Sequence, residues 1–342
     1  MKKIMFYTMG MTSGGAEKVI SELANYFINS NDVLLVTNHN SKSNYKLDKR
    51  IKYLNLDNKN KLDEKIYKKI ITKISRYRTK RLKEIIAKER PKCIVAFLPE
   101  PTIRLLKLRK KYPDIKFIVS IRNHPTKEFR FLKFLRNHYY KMADKIVIQS
   151  KSYKKYLPKY LSKKVEIIPN PINKIKVRSN KKEKKIVNAG RLCKQKNQML
   201  LLKAFKMLND KDYHLEIYGN GKYKKKLDKY IKKNNLQKRV SIITNEKEIY
   251  DKISNASLFV LSSNYEGMPN TILESLALNI PVVSTRSTEV IEELLDNKYI
   301  VECNNPIKLK DKIEEVLKSN SYVTKKLFNS DEVYQKWNDI FK

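Results

Sequence analysis

The residues with the clearest chemical potential are two glutamates, Glu266 and Glu274, in the stretch Glu-Gly-Met-Pro-Asn-Thr-Ile-Leu-Glu that runs from 266 to 274. Pro269 stands where a first helical turn tolerates proline, and residues 270–278 are helix formers. The amino end of such a helix presents unpaired N–H groups and a positive partial charge, which suits a phosphate. Carboxylates repel phosphate, so beside that helix end Glu266 and Glu274 suit neutral hydroxyls. A nucleotide sugar offers both parts, a diphosphate and sugar hydroxyls. The structural alternative, with Glu266 capping a loop and Glu274 complementing the helix dipole, fits the spacing equally well.

The elements around this stretch would position it at a ligand edge. Residues 257–261 form a continuous apolar run that reads as a buried parallel strand, and residues 280–284 read as the next one. The order is strand, loop, helix, strand, with the loop at a strand's carboxyl end, where open α/β sheets bind ligands. Glu266, seven intervening residues and Glu274, with Ser262, Ser263, Gly267, Pro269-Asn270, Ala277 and Pro281-Val282 around them, resemble the E-x7-E motif of family-4 glycosyltransferases, and Gly267, Met268, Pro269, Asn270 and Thr271 are expected to bind the donor. The resemblance implies an α/β protein of GT-B architecture, with two Rossmann-like parallel-sheet domains facing a cleft, and a retaining reaction.

In the first half, residues 3–8 read as a strand. A glycine-bearing turn with Gly14-Gly15-Ala16-Glu17 follows, then a helical pattern with Val19, Ile20, Leu23 and Phe27 on one face. This opens a Rossmann-like unit without the full dinucleotide fingerprint, which argues against a dehydrogenase. Gly14 and Gly15 form either a plain tight turn or a place where a ligand approaches the backbone. The resemblance makes them part of a loop facing donor and acceptor. Residues 61–90 read as a long helix with Leu62, Ile66, Ile70 and Ile74 on one face. Residues 115–121 read as a strand ending in Arg122-Asn123-His124-Pro125, a pattern similar to polysaccharide-type members of the family. It puts Arg122 and Asn123 on the acceptor side. His124 is open to two readings, a donor to phosphate or sugar, or a loop residue.

Between 128 and 142, Phe129, Phe131, Phe134, Tyr139 and Tyr140 alternate with Lys133, Arg136 and Lys141. Nucleic-acid stacking and an interfacial membrane anchor compete here with the ordinary reading, in which such aromatics are core. Residues 165–168 read as the last strand of this half, closed by Ile168-Pro169-Asn170-Pro171, a junction similar to the family's. The expected division is a first domain over 1–171, with a helix over 326–342 packing back on it, and a second domain over 172–325. The first is expected to bind the acceptor and the second the nucleotide sugar.

The second half repeats the pattern. Residues 185–189 lead into Gly190-Arg191-Leu192, and Lys196-Asn197 opens a helix. Arginine forks onto phosphate oxygens and lysine adds a point charge. The resemblance implies that Arg191 and Lys196 bind the donor diphosphate and stabilise it as it leaves, that Glu266 holds sugar hydroxyls and that Glu274 holds the ribose. Gly219 and Gly221 end the strand 214–218 in a turn suited to a nucleotide, and Thr244-Asn245 after the strand 240–243 is expected near the base. Asp210-Lys211-Asp212 precedes a strand, at the opposite edge, so it reads as a loop; no metal and no other cofactor is expected.

The 342 residues allow two domains. Hydrophobic residues make up 41%, which excludes a disordered chain, and no apolar run approaches a membrane span. No signal peptide is read at the start. The three cysteines, Cys93, Cys193 and Cys303, are unfit in number and spacing for a disulfide framework or structural zinc. The formal charge of +40 fits nucleic acid, an anionic membrane face or lysine-rich drift. The reading taken is a metal-independent hexosyltransferase of surface or capsular polysaccharide biosynthesis. It would use a UDP-sugar and a saccharide or lipid-linked acceptor, in the cytoplasm, peripheral on the anionic inner membrane face, with no nucleic-acid partner. A basic nucleic-acid-binding protein and a GT-B-like sugar-nucleotide epimerase are the alternatives.

Overall fold

The computed structural model describes residues 1–12, 14–40, 42–57, 64–124, 130–172, 175, 182–246, 249–319, 322, 325 and 329–342, with backbone alone at 64–74 and 130. The described chain divides into two compact units, Met1–Pro171 with Ser330–Lys342, and Ile172–Asn329. The expectations for Leu62, Pro125 and Phe129, and for the side chains of Ile66, Ile70 and Ile74, lie outside the described residues, as does much of the stretch joining the units.

The first unit is built on β1 (Lys3–Thr8), β2 (Asp32–Thr37), β3 (Lys52–Asn55), β4 (Cys93–Phe97), β5 (Lys116–Ser120), β6 (Lys145–Ile148) and β7 (Val165–Ile167). They form one parallel sheet in the order β3-β2-β1-β4-β5-β6-β7. The central strands are unbroken apolar runs, with Phe6, Tyr7, Val95, Ala96 and Ile118 inaccessible, as strands covered on both faces must be. The helix Gly15–Phe27 lays Val19, Ile20, Leu23, Ala24 and Phe27 on the core. The long helix Glu64–Glu89 buries Leu82 and Ile86. The helix Ser330–Phe341 belongs to this unit, with Trp337 inaccessible, its ring centroid 6.5 Å from that of Phe97, and Tyr334 stacked on Tyr26 at 3.8 Å.

The second unit holds β8 (Glu183–Ala189), β9 (His214–Tyr218), β10 (Val240–Ile243), β11 (Ala256–Leu261), β12 (Val282–Thr285) and β13 (Ile300–Val301). These are parallel in the order β10-β9-β8-β11-β12-β13. Both sheets follow the Rossmann order, in which the winding reverses between the first and fourth strands of each set. In the second unit that switch point lies between β8 and β11, where Asn188 Nδ2 donates to the Val260 carbonyl at 2.8 Å.

One expectation fails. On the helix Arg130–Tyr140 the aromatics are not all core: Phe131 is 70% and Phe134 67% exposed, while Arg136 and Tyr140 are buried. At about 100° per residue the positions 131 and 134 share a face that 136 and 140 oppose, and the buried face is the one turned to the helix Pro99–Leu106. Burial went to the arginine's face, a choice the mixed pattern of this helix leaves open.

Candidate active site

Glu266 follows β11 and Lys196 follows β8, so the switch point brings them together. The Lys196 ammonium donates to Glu266 Oε1 at 2.7 Å. Ser263 Oγ donates to the same oxygen at 2.5 Å, and Glu266 is 6% exposed. A carboxylate this buried needs such partners, because desolvating an unpaired charge is costly. Both bonds fall on Oε1, and Oε2 has no partner among the described residues.

The two loops that carry this pair are stitched along their length. The Asn264 amide N–H donates to the Gln195 carbonyl and its side-chain Nδ2 to the Lys194 carbonyl, both at 2.8 Å. Gln195 Nε2 donates to the Tyr265 carbonyl at 3.0 Å, and Ser262 Oγ to the Lys196 carbonyl at 3.0 Å. Asn197, in a left-handed conformation just before the helix Gln198–Lys206, joins Asn264 Oδ1 through Nδ2 at 2.9 Å. Thr285 Oγ1 donates to the Ser263 carbonyl at 2.6 Å from β12. Arg191 is exposed, and its guanidinium is unpaired among the described residues; only its carbonyl is engaged, accepting from Gln198 Nε2 at 3.2 Å. The site therefore offers one cation–carboxylate pair, with Glu266 buried and Lys196 half-buried, and one open guanidinium.

Beyond Glu266 come Gly267 and buried Met268, then the helix Asn270–Ala277. Pro269 sits at its N-cap and no side chain caps the amino end, whose first intrahelical bond runs from Ile272 N–H to the Pro269 carbonyl at 3.1 Å. Thr271 adds a buried hydroxyl with no partner among the described residues, and Glu274 lies half-buried in the second turn. An uncapped amino end suits an anion.

Gly219 and Gly221 serve packing at this edge. Gly219 has φ +153°, and a Cβ there would overlap the Gly190 carbonyl oxygen; Gly221 has φ +156° and would overlap Leu192 in the same way. The loops after β8 and β9 are thus in backbone contact, held by the Leu192 N–H to the Asn220 carbonyl at 2.8 Å. Side chains at either glycine would wedge Gly190-Arg191-Leu192 away. Asn245, with φ +60°, accepts from Asn220 Nδ2 at 2.8 Å, so Thr244-Asn245 joins the same edge. Asp210 and Asp212 lie at the other edge, before β9, where both pair with Lys184 at 3.2 and 2.9 Å.

In the first unit, Gly14 caps the helix Gly15–Phe27, and the Tyr45 hydroxyl both accepts from the Gly14 N–H at 3.0 Å and donates to its carbonyl at 2.7 Å. Arg122, Asn123 and His124 follow β5. His124 is buried edge-on to Tyr153, ring centroids 5.2 Å apart, and lies 5.4 Å from Tyr156. Asn123 is exposed. Arg122, expected on the acceptor side, is more enclosed than its neighbour Asn123. It is 6% exposed, donates to Asn170 Oδ1 at 2.6 Å and lies 5.5 and 5.7 Å from the Phe97 and Trp337 ring centroids. Burial pulls its guanidinium down to about 9. Its Nη1 positions Asn170, while Nε and Nη2 are buried and have no partner among the described residues. Ser263, Asn197 and Asn264 were not singled out from sequence as site residues. The hydroxyl three positions before Glu266 was the available signal for Ser263.

Two parallel sheets of Rossmann order, with the chemically equipped edge at the strand carboxyl ends, define a GT-B protein. The family profile described as Glycosyltransferase Family 4 matches residues 13–174, and that of Glycosyl transferases group 1 matches residues 170–330. The chain belongs to glycosyltransferase family 4. It is 32% identical to an uncharacterized glycosyltransferase of Methanocaldococcus jannaschii over 61% of this chain and 59% of that protein. It is 26% identical, over 96% of this chain and 92% of the other, to a Campylobacter jejuni α-1,4-N-acetyl-D-galactosaminyltransferase whose name gives a diNAcBac-PP-undecaprenol-linked disaccharide as its acceptor. Among solved structures it resembles a S. aureus TarM mutant in complex with fondaparinux, α-GlcNAc-glycerol and UDP, with a TM-score of 0.79 at 14% identity over the whole of both chains.

Proposed function

We propose that this chain is a retaining, metal-independent hexosyltransferase that moves a sugar from a UDP-sugar to a saccharide or lipid-linked saccharide in surface polysaccharide biosynthesis. The observation that carries the reading is the Lys196–Glu266–Ser263 cluster at the β8/β11 switch point, beside an uncapped helix end and the open Arg191 guanidinium. Arg191, Lys196 and the amides at the start of the helix Asn270–Ala277 receive the diphosphate and stabilise its growing charge as the sugar bond breaks. Glu266 accepts from sugar hydroxyls through Oε2, and Glu274 accepts from the ribose. The acceptor hydroxyl attacks from the face the diphosphate leaves, and the departing phosphate oxygen takes its proton. Lysine, arginine and helix end together supply the positive charge a divalent cation would otherwise bring.

In this reading the second unit holds the donor and the first holds the acceptor, with Asn123 exposed after β5. The chain works in the cytoplasm, peripheral on the inner face of the membrane that carries its acceptor. The named acceptor of the Campylobacter relative and the UDP bound to the TarM mutant support the choice of a lipid-linked acceptor and a uridine donor. The test is thermal stabilisation by nucleotides and nucleotide sugars in EDTA. A UDP-sugar raises the melting temperature, because it binds the native state alone, and Arg191→Ala abolishes the shift. A protein indifferent to every nucleotide sugar overturns the reading. Acceptor-free turnover of the sugar would assign it to the epimerases instead.

A further inference from the structure

The helix Arg130–Tyr140 presents two phenylalanines that the fold leaves unused. Phe131 and Phe134 are 70% and 67% exposed, about one turn apart on the face away from buried Arg136 and Tyr140. A third aromatic adjoins them: Tyr160, 62% exposed, donates its hydroxyl to the Asn137 carbonyl at 2.9 Å. The Lys164 ammonium ties the stretch that carries Tyr160 to the helix's carboxyl end, donating to the Lys141 and Ala143 carbonyls at 2.7 and 2.8 Å. Soluble surfaces rarely group exposed aromatics without a partner for them.

The charge around this patch is one-sided. Lys133, Lys141, Lys159 and Lys163 are exposed. From residue 128 to 166 the sequence holds eleven lysines and arginines against three carboxylates, Glu128, Asp144 and Glu166. Asp144 is engaged by Arg109 at 3.0 Å and by the Phe117 N–H at 2.7 Å, and Glu166 by Lys145 at 2.5 Å. The balance favours an anionic surface. Proteins that bind single-stranded nucleic acid run the strand along a groove and stack its bases within it, whereas Phe131 and Phe134 stand 70% and 67% exposed on one helix face. Projecting phenyl rings flanked by long, flexible lysines match the headgroup–acyl boundary, where rings enter the apolar layer and ammonium groups stay with the phosphates.

We propose that Phe131, Phe134 and Tyr160, with Lys133 and Lys141, form the face by which the first unit docks on an anionic phospholipid bilayer. The proposal deepens the peripheral localisation given above by naming the element that makes it. The docking itself requires no sugar transfer.

Vesicle flotation of the full chain tests it, comparing phosphatidylglycerol-containing vesicles with pure phosphatidylcholine. The intact protein is expected to float with the anionic vesicles and to release at about 0.5 M salt, where its lysines are screened. The double variant F131S/F134S is expected to bind about tenfold or more weakly with an unchanged melting temperature. Equal flotation of the double variant and the intact chain overturns the proposal. So does retention on single-stranded DNA that depends on the same two rings without vesicle binding, or a dimer that the double variant dissolves. A chain that floats but turns over no nucleotide sugar faults the functional reading alone. One that glycosylates a soluble acceptor and ignores vesicles faults this proposal alone.

Discussion

Lys196 and Glu266 lie 70 positions apart in the chain and meet at 2.7 Å, with Ser263 on the same carboxylate oxygen. Their loops follow adjacent parallel strands at the point where the sheet's winding reverses, and hydrogen bonds between the loops fix the register. The lysine expected to serve a phosphate and the carboxylate expected to serve a sugar are thus one electrostatic unit before any ligand arrives. In the proposed reaction, an incoming diphosphate would share the ammonium with Glu266.

Breaking that unit one residue at a time should be worse than removing it. Lys196→Met leaves a buried carboxylate with only the Ser263 hydroxyl and should destabilise the protein by about 1–3 kcal/mol. The double variant K196M/E266Q should recover part of the loss in urea denaturation. Turnover of the donor by Glu266→Gln should fall by about a hundredfold, on the scale of losing one group aimed at the reacting centre.

Backbone contact between the loops after β8 and β9 makes Gly219 a steric requirement. Gly219→Ala should cost about 1–3 kcal/mol through overlap with the Gly190 carbonyl. Gly190→Ala should cost less, because its Cβ would meet only the flexible Lys196 methylenes, at 3.4 Å. Equal melting temperatures for the two variants would contradict this account.

Acid should loosen the first unit through Asp57. Burial opposes ionisation of its carboxyl, but the bidentate bonds from Arg78, at 2.8 and 2.7 Å, and the nearby His39 outweigh it and hold the group at about 2. A carboxyl held below its ordinary value of 3.8 stabilises the fold fully above that value, and the contribution disappears as pH falls through about 2. Denaturation curves between these limits should show a loss of about 2 kcal/mol that Asp57→Asn removes.

Trp337 should be the anchor of the helix Ser330–Phe341. It is inaccessible, with Phe97 and Phe341 rings around it. Trp337→Ala should cost about 3–5 kcal/mol in global unfolding. An exposed position on the same helix, Gln335→Ala, should stay within about 0.5 kcal/mol.

What the sequence by itself determined is the kind of protein and the sheet edge at which its candidate site residues gather. Short apolar runs such as 93–97 and 258–261, bounded by turn residues, read as strands covered on both faces, and their alternation with helical periods points to parallel α/β units. The register from Glu266 to Pro281 carries the family, because those residues are contiguous. The tertiary structure alone decided which distant groups touch. It set the Lys196–Glu266 pair, the contact that requires Gly219, the enclosure of Arg122 between Phe97 and Trp337, and the exposure of Phe131 and Phe134 in place of Arg136. Local periodicity reports which side of an element is apolar. Pairings across 70 residues depend on strand order and register, and a helix with aromatics and cations on every side turns inward the face its neighbours can pack.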